Sequence, residues 1–492
     1  MRSIRLWSIV TLIAGSSSVV DAQIHIVDCS GAGDFTTVQA AIDAAVNGDT
    51  IIIRPNTCTP SGAYVEQVNL LGKLLRLQST DPSDPAVVAA TIIDCGTTAI
   101  GTITVNVTAM PANSPPVELA GFTIRMGRDA LKISDASVSL SSMELGGINA
   151  AINSHLTATG GNGSRTLSFT SSSVRKMAGA RVSNYNITVN DCSFVDNGGI
   201  GLDVTFAKVR IRDSRFERNK GSYGGLSVNT NDAVIERCVF LANEGVIAGA
   251  ALIQCTSGMP AIPLVVRNCV FAGNVSNSYG AMKIWGSGIT VDHCTITGNR
   301  GGTAPGIYLM GPAGVVIRNS ISWNNRLNNN TPPSDISGSF STGSVSVSYC
   351  DIQFGSSAST PGSISADPTF VDPGVWTSVF GQDVFSGGDF RLAATSPCIN
   401  AANPAFQPAL GETDLDGAPR VIGCRSDMGA YENTSAVPYP GDLTGDGMTT
   451  VADLPLFIDA VLNSNASNCA ADCNSDGAVN GLDVQYFILI VQ

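Results

Sequence analysis

The middle of the chain is built from a sequence unit that recurs every 22 to 31 residues. Each unit has two apolar residues that alternate with polar ones, two polar residues, a Cys or Ser, a further apolar residue and, in most units, an Asn. The Cys or Ser markers are Cys192, Ser214, Cys238, Cys269, Cys294, Ser320 and Cys350. The Asn positions are Asn197, Asn219, Asn243, Asn274 and Asn299. A period of this length is typical of a solenoid, in which each repeat buries its apolar face against its neighbours.

The alternation within each unit predicts β-strands. β-Branched residues at every second position suit a strand, and the two polar residues before each marker shift the phase by one, which indicates a corner between two sheets. A glycine-rich turn after each Asn leads to another alternating segment, as in 201–204 and 306–309. Each coil is therefore predicted to contribute three strands, stacked on the next coil at about 4.8 Å in parallel sheets. The composition agrees with an all-β body, because only 14% of the residues are charged and 52 of 492 are Gly.

The N-terminal part of the chain adds two predictions. Arg2 and Arg5 precede an apolar run about half as long as the ~20 residues of a membrane span, so residues 1–22 are predicted to be a signal peptide and the protein to be secreted. From Asp34 to Gly48, apolar residues at helical spacing predict a helix that caps the first coil. This segment resembles the G-D-F-T-T-V-Q-A-A-I-D-A-A opening of the pectin-lyase-like β-helices. The resemblance covers about residues 23–360 and implies a right-handed parallel β-helix.

Residues 360–436 contain short motifs in a fixed order: D-P-T-F from Asp367, S-P-C-I from Ser396 and D-L-D-G-A-P-R from Asp414. These motifs resemble the C-terminal segment of bacterial β-helix proteins of the choice-of-anchor type. Turn pairs such as Asp-Gly and Ala-Pro favour a structural end, so we expect the last coil and its cap here. The predicted β-helix domain therefore spans 23–436.

Thirteen Cys cannot all pair with one another. Five of them occupy the marker position of the repeat, which predicts a buried ladder of stacked thiols: Cys192, Cys238, Cys269, Cys294 and Cys350. The candidate disulfides are Cys29–Cys58, Cys398–Cys424 and Cys469–Cys473, although spacing alone does not give connectivity. With three His in the chain and no zinc-type spacing, we expect neither a zinc centre nor a histidine triad.

Two twelve-residue segments near the C-terminus, 442–453 and 472–483, place oxygen donors at positions one, three, five, nine and twelve and Gly at position six. Ca²⁺ prefers six to eight hard oxygen ligands, to which the carbonyl at position seven contributes. The candidate ligands are Asp442, Thr444, Asp446, Met448, Thr450, Asp453, Asp472, Asn474, Asp476, Ala478, Asn480 and Asp483. Each loop runs into an apolar segment predicted to be helical, 454–462 and 484–491. One such loop is a weak signal, whereas two in tandem are a strong signal for a calcium module.

The duplicated loop and helix, over about residues 440–492, resemble a type I dockerin module. The resemblance implies Ca²⁺ binding and attachment to a cohesin-type partner through the residues that follow position nine, Val451, Ala452, Gly481 and Leu482. Dockerins are usually fused to enzymes that act on polysaccharides. The first loop departs from the family pattern at Thr444, where the family has Asn.

The register of the repeat defines one outward-facing row. Its members are Lys132, Ala151, Arg181, Asp203, Ser227, Leu252, Lys283 and Tyr308. In the lyases of the family that the chain resembles, such a surface carries a Lys or Arg base and an Asp-bound calcium ion. Arg181, Asp203 and Lys283 are therefore the candidate catalytic residues, but an exposed ion pair of small energetic value is the favoured interpretation of Arg181 beside Asp203.

Several functions are disfavoured. The net charge of −13, without a cluster of Lys and Arg, argues against a nucleic-acid partner, and no segment of the mature chain is long enough to span a membrane. Asp292-His293 resembles the D-H-C stretch of pectate lyases but falls at a polar corner, so we predict a structural role. Two hypotheses remain: a secreted polysaccharide lyase or glycoside hydrolase delivered by its dockerin, and a non-catalytic surface or adhesion protein that binds glycans or proteins.

Overall fold

The computed structural model describes residues 22–97, 102–146, 155–161, 163–206, 208–255, 264–311, 314–329, 335–339, 345–353, 360–422, 425–434, 440–444, 448–463, 469–474 and 478–491. The predicted signal peptide therefore lies outside the described residues, apart from Ala22. None of the helices in this part of the chain has the length and apolar character needed to cross a bilayer.

The body is a right-handed parallel β-solenoid of about 11 turns, as the repeat predicts. Three long parallel sheets, named A, B and C here, form its sides. Sheet A contains Ile24–Val27, Thr50–Ile53, Arg76–Ser79, Val117–Ala120, Val138–Ser141, Arg165–Thr170, Tyr185–Asn190, Lys208–Arg212, Asp232–Glu236, Leu264–Arg267, Ile289–Asp292, Val315–Arg318 and Val345–Ser348. Sheet B contains Ala63–Val65, Ile92–Asp94, Thr123–Arg125, Glu144–Gly146, Ser173–Arg175, Ser193–Val195, Arg215–Glu217, Val239–Leu241, Val270–Ala272, Thr295–Thr297, Ile321–Trp323 and Asp351–Ile352.

Sheet C and a shorter sheet D complete the coils. Sheet C contains Val68–Asn69, Ile103–Val107, Asp129–Ser134, His155–Thr159, Ala180–Ser183, Leu202–Thr205, Leu226–Asn229, Ala251–Gln254, Met282–Trp285, Ile307–Met310 and Ile336–Ser339. Sheet D contains Glu244–Gly245, Val275–Ser276, Arg300–Gly301 and Arg326–Leu327, in the turns that lead from sheet B to sheet C. The three strands per coil that the sequence predicts are thus present, and sheet D adds a short fourth strand in four coils.

The corner between sheets A and B lies at the polar residues before each marker. The residue directly before the marker adopts a left-handed conformation, with φ between 47° and 54°, at Asp191, Asp213, Arg237, Asn268, His293 and Asn319. Asn and Asp tolerate this conformation better than most residues, which explains the polar composition of the corner. The corner brings the marker and the following apolar residue into the interior, as the phase shift predicts.

Stacked identical side chains fill that interior. Phe194, Phe216, Phe240 and Phe271 lie face to face, with ring centroids 4.6 to 4.9 Å apart. The five marker Cys are buried and free, which confirms the predicted thiol ladder. Stacking at this spacing brings neighbouring rings into close face-to-face contact, so each coil presents the next coil with a matching apolar surface.

A ladder of buried asparagines aligns the turns after sheet B. We call it the Asn ladder; its members are Asn197, Asn219, Asn243, Asn274, Asn299 and Asn325. In each step one amide nitrogen donates both to a carbonyl oxygen of the preceding coil and to the side-chain oxygen of the next asparagine, as Asn243 does to Phe216 and Asn274 at 2.9 Å. These bonds satisfy polar groups that the turn would otherwise bury without partners.

The N-terminal end is closed by a helix, Val38–Ala44, which is shorter than the predicted segment because Ala45 is extended. Thr37 caps it, and Val38, Ala41 and Ile42 are buried against the first strands. Cys29 and Cys58 form a disulfide there, as predicted. A second helix in an early coil, Pro85–Ala90, is not predicted by the repeat.

The other two predicted disulfides are wrong. Cys398 is free, and its thiol donates to a carboxylate oxygen of Asp351 at 3.2 Å in a buried site. Cys473 is also free, while Cys469 is disulfide-bonded, so these two do not pair with each other. Spacing along the chain does not determine which cysteines lie close enough to bond.

The C-terminal segment of the body lies along a side of the solenoid. Among the described residues, Ile364 continues the last coil through a parallel bridge with Asp351. The described residues of 366–434, which we call the flank segment, form two antiparallel pairs: Phe370–Asp372 with Asp389–Leu392, and Val375–Val379 with Gln382–Ser386. Phe385, Phe390 and Ala430 of this segment pack against Val270 and Ala272 on the outer face of sheet B. The segment predicted to form the last coil and cap is therefore mostly a lateral cover; the predicted domain boundary at 436 stays a prediction.

Candidate functional site

The strand register places the predicted outward row along sheet C. Consecutive partners are Lys132, Thr157, Arg181, Asp203, Ser227, Leu252, Lys283 and Tyr308. Thr157 thus occupies the position in the row at which the repeat register predicts Ala151, because the strand of that coil is His155–Thr159. Ala151 lies outside the described residues. Ser227 and Leu252 are buried, which interrupts the exposed part of the row.

The three candidate catalytic residues do not meet. Arg181 and Asp203 are direct register partners, so their backbones are about 4.8 Å apart. Lys283 is four strands further along than Arg181, a distance of about 19 Å at that spacing. Within the described residues Arg181 and Asp203 form no ion pair with each other. A general base must lie within hydrogen-bond reach of the proton that it removes, so this arrangement does not hold all three groups around one bond.

An aromatic cluster surrounds Lys283. Its ammonium group lies 5.5 Å from the ring centroid of Tyr279 and 5.2 Å from that of Trp285. Tyr279 stacks on Tyr308 of the next coil, with centroids 4.0 Å apart. Trp285 is 42% exposed and Met310 beside it 38%. Exposed aromatic faces can pack against the apolar faces of sugar rings, and a neighbouring cation can bind their negatively charged substituents. The repeat pattern did not indicate Tyr279 because this residue lies in a turn outside the repeated strands.

The corner at Asp292 and His293 is structural, as expected. Both side chains are buried, and a carboxylate oxygen of Asp292 accepts from the guanidinium of Arg318 at 2.9 Å. His293 Nε2 lies 3.0 Å from Ser426 Oγ in the flank segment. Burial is the main cause that lowers the pKa of His293 to about 4, and the nearby Arg420 guanidinium lowers it further. A neutral, enclosed imidazole that contacts the flank segment supports the fold and has no access to a polymer.

The first predicted calcium loop is closed by the carboxylate at its twelfth position. Asp453 Oδ1 accepts from the backbone N–H groups of Leu443 and Thr444, at 2.9 and 2.8 Å, and Oδ2 accepts from that of Thr450 at 2.8 Å. Asp453 is fully buried and Asp442 is 8% exposed. These backbone donors lower the pKa of Asp453, although its burial alone would raise it.

The second loop repeats this geometry. Asp483 Oδ1 accepts from the N–H group of Asn474 at 3.2 Å, and Oδ2 accepts from that of Asn480 at 2.8 Å. The helices that follow the loops are Leu454–Leu462, as predicted, and Asp483–Ile490; one-turn 3₁₀ helices cover Val451–Asp453 and Cys469–Ala471. Phe457 and Phe487 stack at 4.0 Å between the helices. The predicted ligands Asp446 and Asp476 lie outside the described residues.

The charge of this module fits a bound cation. Residues 440–492 contain seven Asp and no Lys, Arg, His or Glu. Asp442, Asp453, Asp472 and Asp483 are all less than 9% exposed. Buried carboxylates require compensation by positive charge, and no side chain of the module can supply it. The donor set, carboxylate, hydroxyl and amide oxygens, is the one that Ca²⁺ prefers. No cluster of three potential metal-binding side chains is found in the part of the chain that the structure describes.

The fold and the paired loops define a right-handed parallel β-helix protein that carries a duplicated loop–helix module. Residues 147–277 match the family described as Right handed beta helix region, and residues 440–489 match the Dockerin type I domain. The chain therefore contains a β-helix region and a type I dockerin domain, as its sequence predicts. No curated protein sequence matches the chain.

Two solved structures resemble the chain. The crystal structure of pectate lyase Pel9A shares 15% identity with a TM-score of 0.38, covering 84% of this chain and 96% of that chain. The crystal structure of bacteriophage CBA120 tailspike protein 3 shares 14% identity with a TM-score of 0.29, covering 73% of this chain and 67% of that chain. At these identities and TM-scores neither likeness bears on activity.

Proposed function

We propose that the protein is a secreted, polysaccharide-binding β-helix protein that its calcium-loaded dockerin domain attaches to a cohesin-type partner. The observation that carries the attachment is the module of seven Asp without one basic residue, in which two buried position-twelve carboxylates close the loops. Bound Ca²⁺ supplies the positive charge that these carboxylates lack. Asp442, Thr444, Asp446, Thr450 and Asp453, with the carbonyl of Met448, would hold it in the first loop, and the six equivalent residues in the second.

The calcium binding on which the attachment depends is tested by calcium-dependent unfolding of the full chain. A ligand present at 100 times its Kd stabilises the state that binds it by about 2.7 kcal/mol. We expect a calorimetric transition that moves upward with Ca²⁺ and downward with chelator. Asp453→Asn should reduce the calcium-dependent shift, whereas Asp459→Asn, an exposed acid in the following helix of the same module, should leave it unchanged. Equal shifts for both variants would contradict the assignment.

The polysaccharide surface in this proposal is the exposed part of the row on sheet C. Lys132, Arg181 and Lys283 lie in one row, and in the described residues none of them forms an ion pair. These unpaired cations stand out in a chain whose net charge is −13, and together with the aromatic cluster they suit a polymer that carries carboxylates. Part of the outer face of sheet B, around Val270 and Ala272, is covered by the flank segment.

Binding is favoured over catalysis by the separation of the candidate residues. A lyase or glycoside hydrolase concentrates its acid, base and charge-stabilising groups around one bond, whereas Lys283 is about 19 Å from Arg181 along the stack. A polymer that lies along the sheet can contact both. The protein then acts as a glycan-binding component of the assembly to which its dockerin belongs.

The binding proposal is tested with acidic and neutral polysaccharides in parallel. We expect affinity electrophoresis in polygalacturonate gels to retard the full chain more than neutral galactan gels do, and added salt to weaken the effect. Lys283→Ala and Arg181→Ala should each reduce the retardation, whereas Lys208→Ala, an exposed lysine on sheet A, should not. Release of unsaturated products or reducing ends would overturn the non-catalytic part of the proposal, and equal retardation by all three variants would overturn the surface.

A further inference from the structure

A cleft is formed where the flank segment meets the solenoid. The hairpin of Val375–Val379 and Gln382–Ser386 leans over the turns that follow sheet B and encloses about 360 Å³. The lining residues are Gly298, Arg300, Asn324, Arg326, Gly374, Val375, Trp376 and Phe385. None of them belongs to sheet C, so this cleft is separate from the proposed polysaccharide row. Its volume lies in the lower part of the range typical of small-molecule sites.

Two guanidinium groups lie side by side in this cleft. Arg300 and Arg326 are register partners in sheet D. Arg300 is neutralised by Asp383 at 2.6 Å, and its guanidinium stacks 4.2 Å from the ring centroid of Trp376. Like charges on neighbouring strands repel, so an anion bound at the second guanidinium would be favourable.

Arg326 has no such anion within the described residues. Its Nε donates to the side-chain oxygen of Asn324 at 3.1 Å, and no described Asp or Glu pairs with it. A half-buried guanidinium beside a second, already neutralised one offers its remaining N–H donors to a ligand carboxylate, for which its planar fork is well matched.

The opposite wall of the cleft is aromatic and fixed. Trp376 Nε1 donates to the carbonyl of Gly298 at 2.7 Å, which anchors the indole to the solenoid. Phe385 lies edge-on to Trp376, with centroids 5.5 Å apart. Gly298 and Gly374 have no room for a side chain, because an added Cβ would lie 3.0 and 2.4 Å from the Phe385 ring. The aromatic wall is therefore preorganised before any ligand binds, and preorganisation lowers the entropic cost of binding.

We propose that this cleft binds a single carboxylate-bearing sugar residue. Arg326 takes the carboxylate, Asn324 contributes a polar contact, and the Trp376–Phe385 wall packs against the apolar side of the pyranose ring. The inference goes beyond the proposed function, because it assigns a recognition site to the flank segment that does not depend on the row along sheet C or on calcium.

The test measures binding of D-galacturonate to the full chain in Ca²⁺ by isothermal titration calorimetry, with D-galactose and acetate as matched probes. We expect galacturonate to bind at least tenfold more tightly than either probe, and Arg326→Gln to weaken it at least tenfold. Arg326→Lys, which keeps the charge and loses the planar fork, should fall between them. Lys208→Gln, at an exposed position on sheet A that belongs to neither proposed surface, should leave this binding unchanged. Thermal melting of each variant shows whether it is folded.

Three results would overturn the site. Equal affinity for galacturonate and acetate would leave a simple anion site without sugar recognition. Unchanged binding by folded Arg326→Gln would exclude Arg326 as the contact. Loss of binding in Arg181→Gln with Arg326→Gln unaffected would move monosaccharide binding to sheet C, which would favour the surface proposed above and refute the cleft.

Discussion

Replacing one member of the Asn ladder tests how the coils are held in register. The side chain of Asn243 makes hydrogen bonds in two directions: it donates to Phe216 and Asn274 at 2.9 Å, and it accepts from the backbone and side-chain N–H groups of Asn219 at 3.0 Å. All of these groups lie in a fully buried site. Asn243→Ala removes these bonds and leaves the carbonyl of Phe216 and the N–H of Asn219 without those partners.

The magnitude follows from that inventory. The Asn243 side chain makes four hydrogen bonds, each with a net contribution of about 1 kcal/mol, so the variant should lose about 4 kcal/mol of local stability. Native-state hydrogen exchange measures this loss of local stability directly, because a tenfold change in exchange rate corresponds to about 1.4 kcal/mol. The Asn219 amide should therefore exchange several hundred times faster. Each coil contacts only its neighbours, so amides near the N-terminal helix should be unaffected.

The control is Asn186→Ala, at an outward, half-buried position on sheet A. This change should cost less than about 0.5 kcal/mol, as most surface substitutions do. Equal, small effects of the two variants would refute the reasoning, since they would mean that the Phe stack and the strand ladders align the coils without the asparagines.

Further predictions concern titration, the thiols and the flank segment. Burial raises the pKa of Asp351 to about 7, so the folded chain binds a proton that the unfolded chain has lost; stability should fall as pH rises from about 4 to about 7, and Asp351→Asn should flatten that part of a urea-unfolding profile. Burial raises the pKa values of Cys192 and Cys350 to about 11 and about 12, so an alkylating reagent at pH 8 should modify neither thiol until denaturant is added, as mass spectrometry of peptides can show. Trp376→Ala should make the hairpin it belongs to accessible to limited proteolysis, whereas Trp376→Phe should keep most of the protection.

The periodic part of the fold could be predicted from the sequence because each unit repeats one local solution. The marker Cys, the Asn positions and the strand triplets all lie where the repeat places them, since a stacked coil imposes one environment on each equivalent residue. The helix Pro85–Ala90 was missed because the early coils lack the marker. The lack of the marker in this part of the chain also explains the error in the outward row, where Thr157 instead of Ala151 is in register with Lys132.

Contacts between distant segments could not be predicted from spacing. Trp376 bonds to Gly298, 78 residues earlier, and Ala430 bonds to Thr295, 135 residues earlier. No periodicity relates such pairs, and the turn motifs of 360–436 fit a lateral cover as well as a terminal cap. Two of the three disulfide candidates, Cys398–Cys424 and Cys469–Cys473, failed for the same reason. In the dockerin domain the sequence gives the loop positions and helices, because the ligand spacing itself is the signal.

The path of the flank segment also bears on the proposed attachment through the dockerin domain. Asn433, near the end of the described part of that segment, donates to the carbonyl of Leu392 at 2.8 Å, and Ala430 contacts Thr295 in sheet B. The flank segment thus contacts a side wall of the solenoid close to the end of its described part. A load applied through the dockerin would reach the solenoid sideways, across several coils at once, and would not peel the terminal coil from its neighbour.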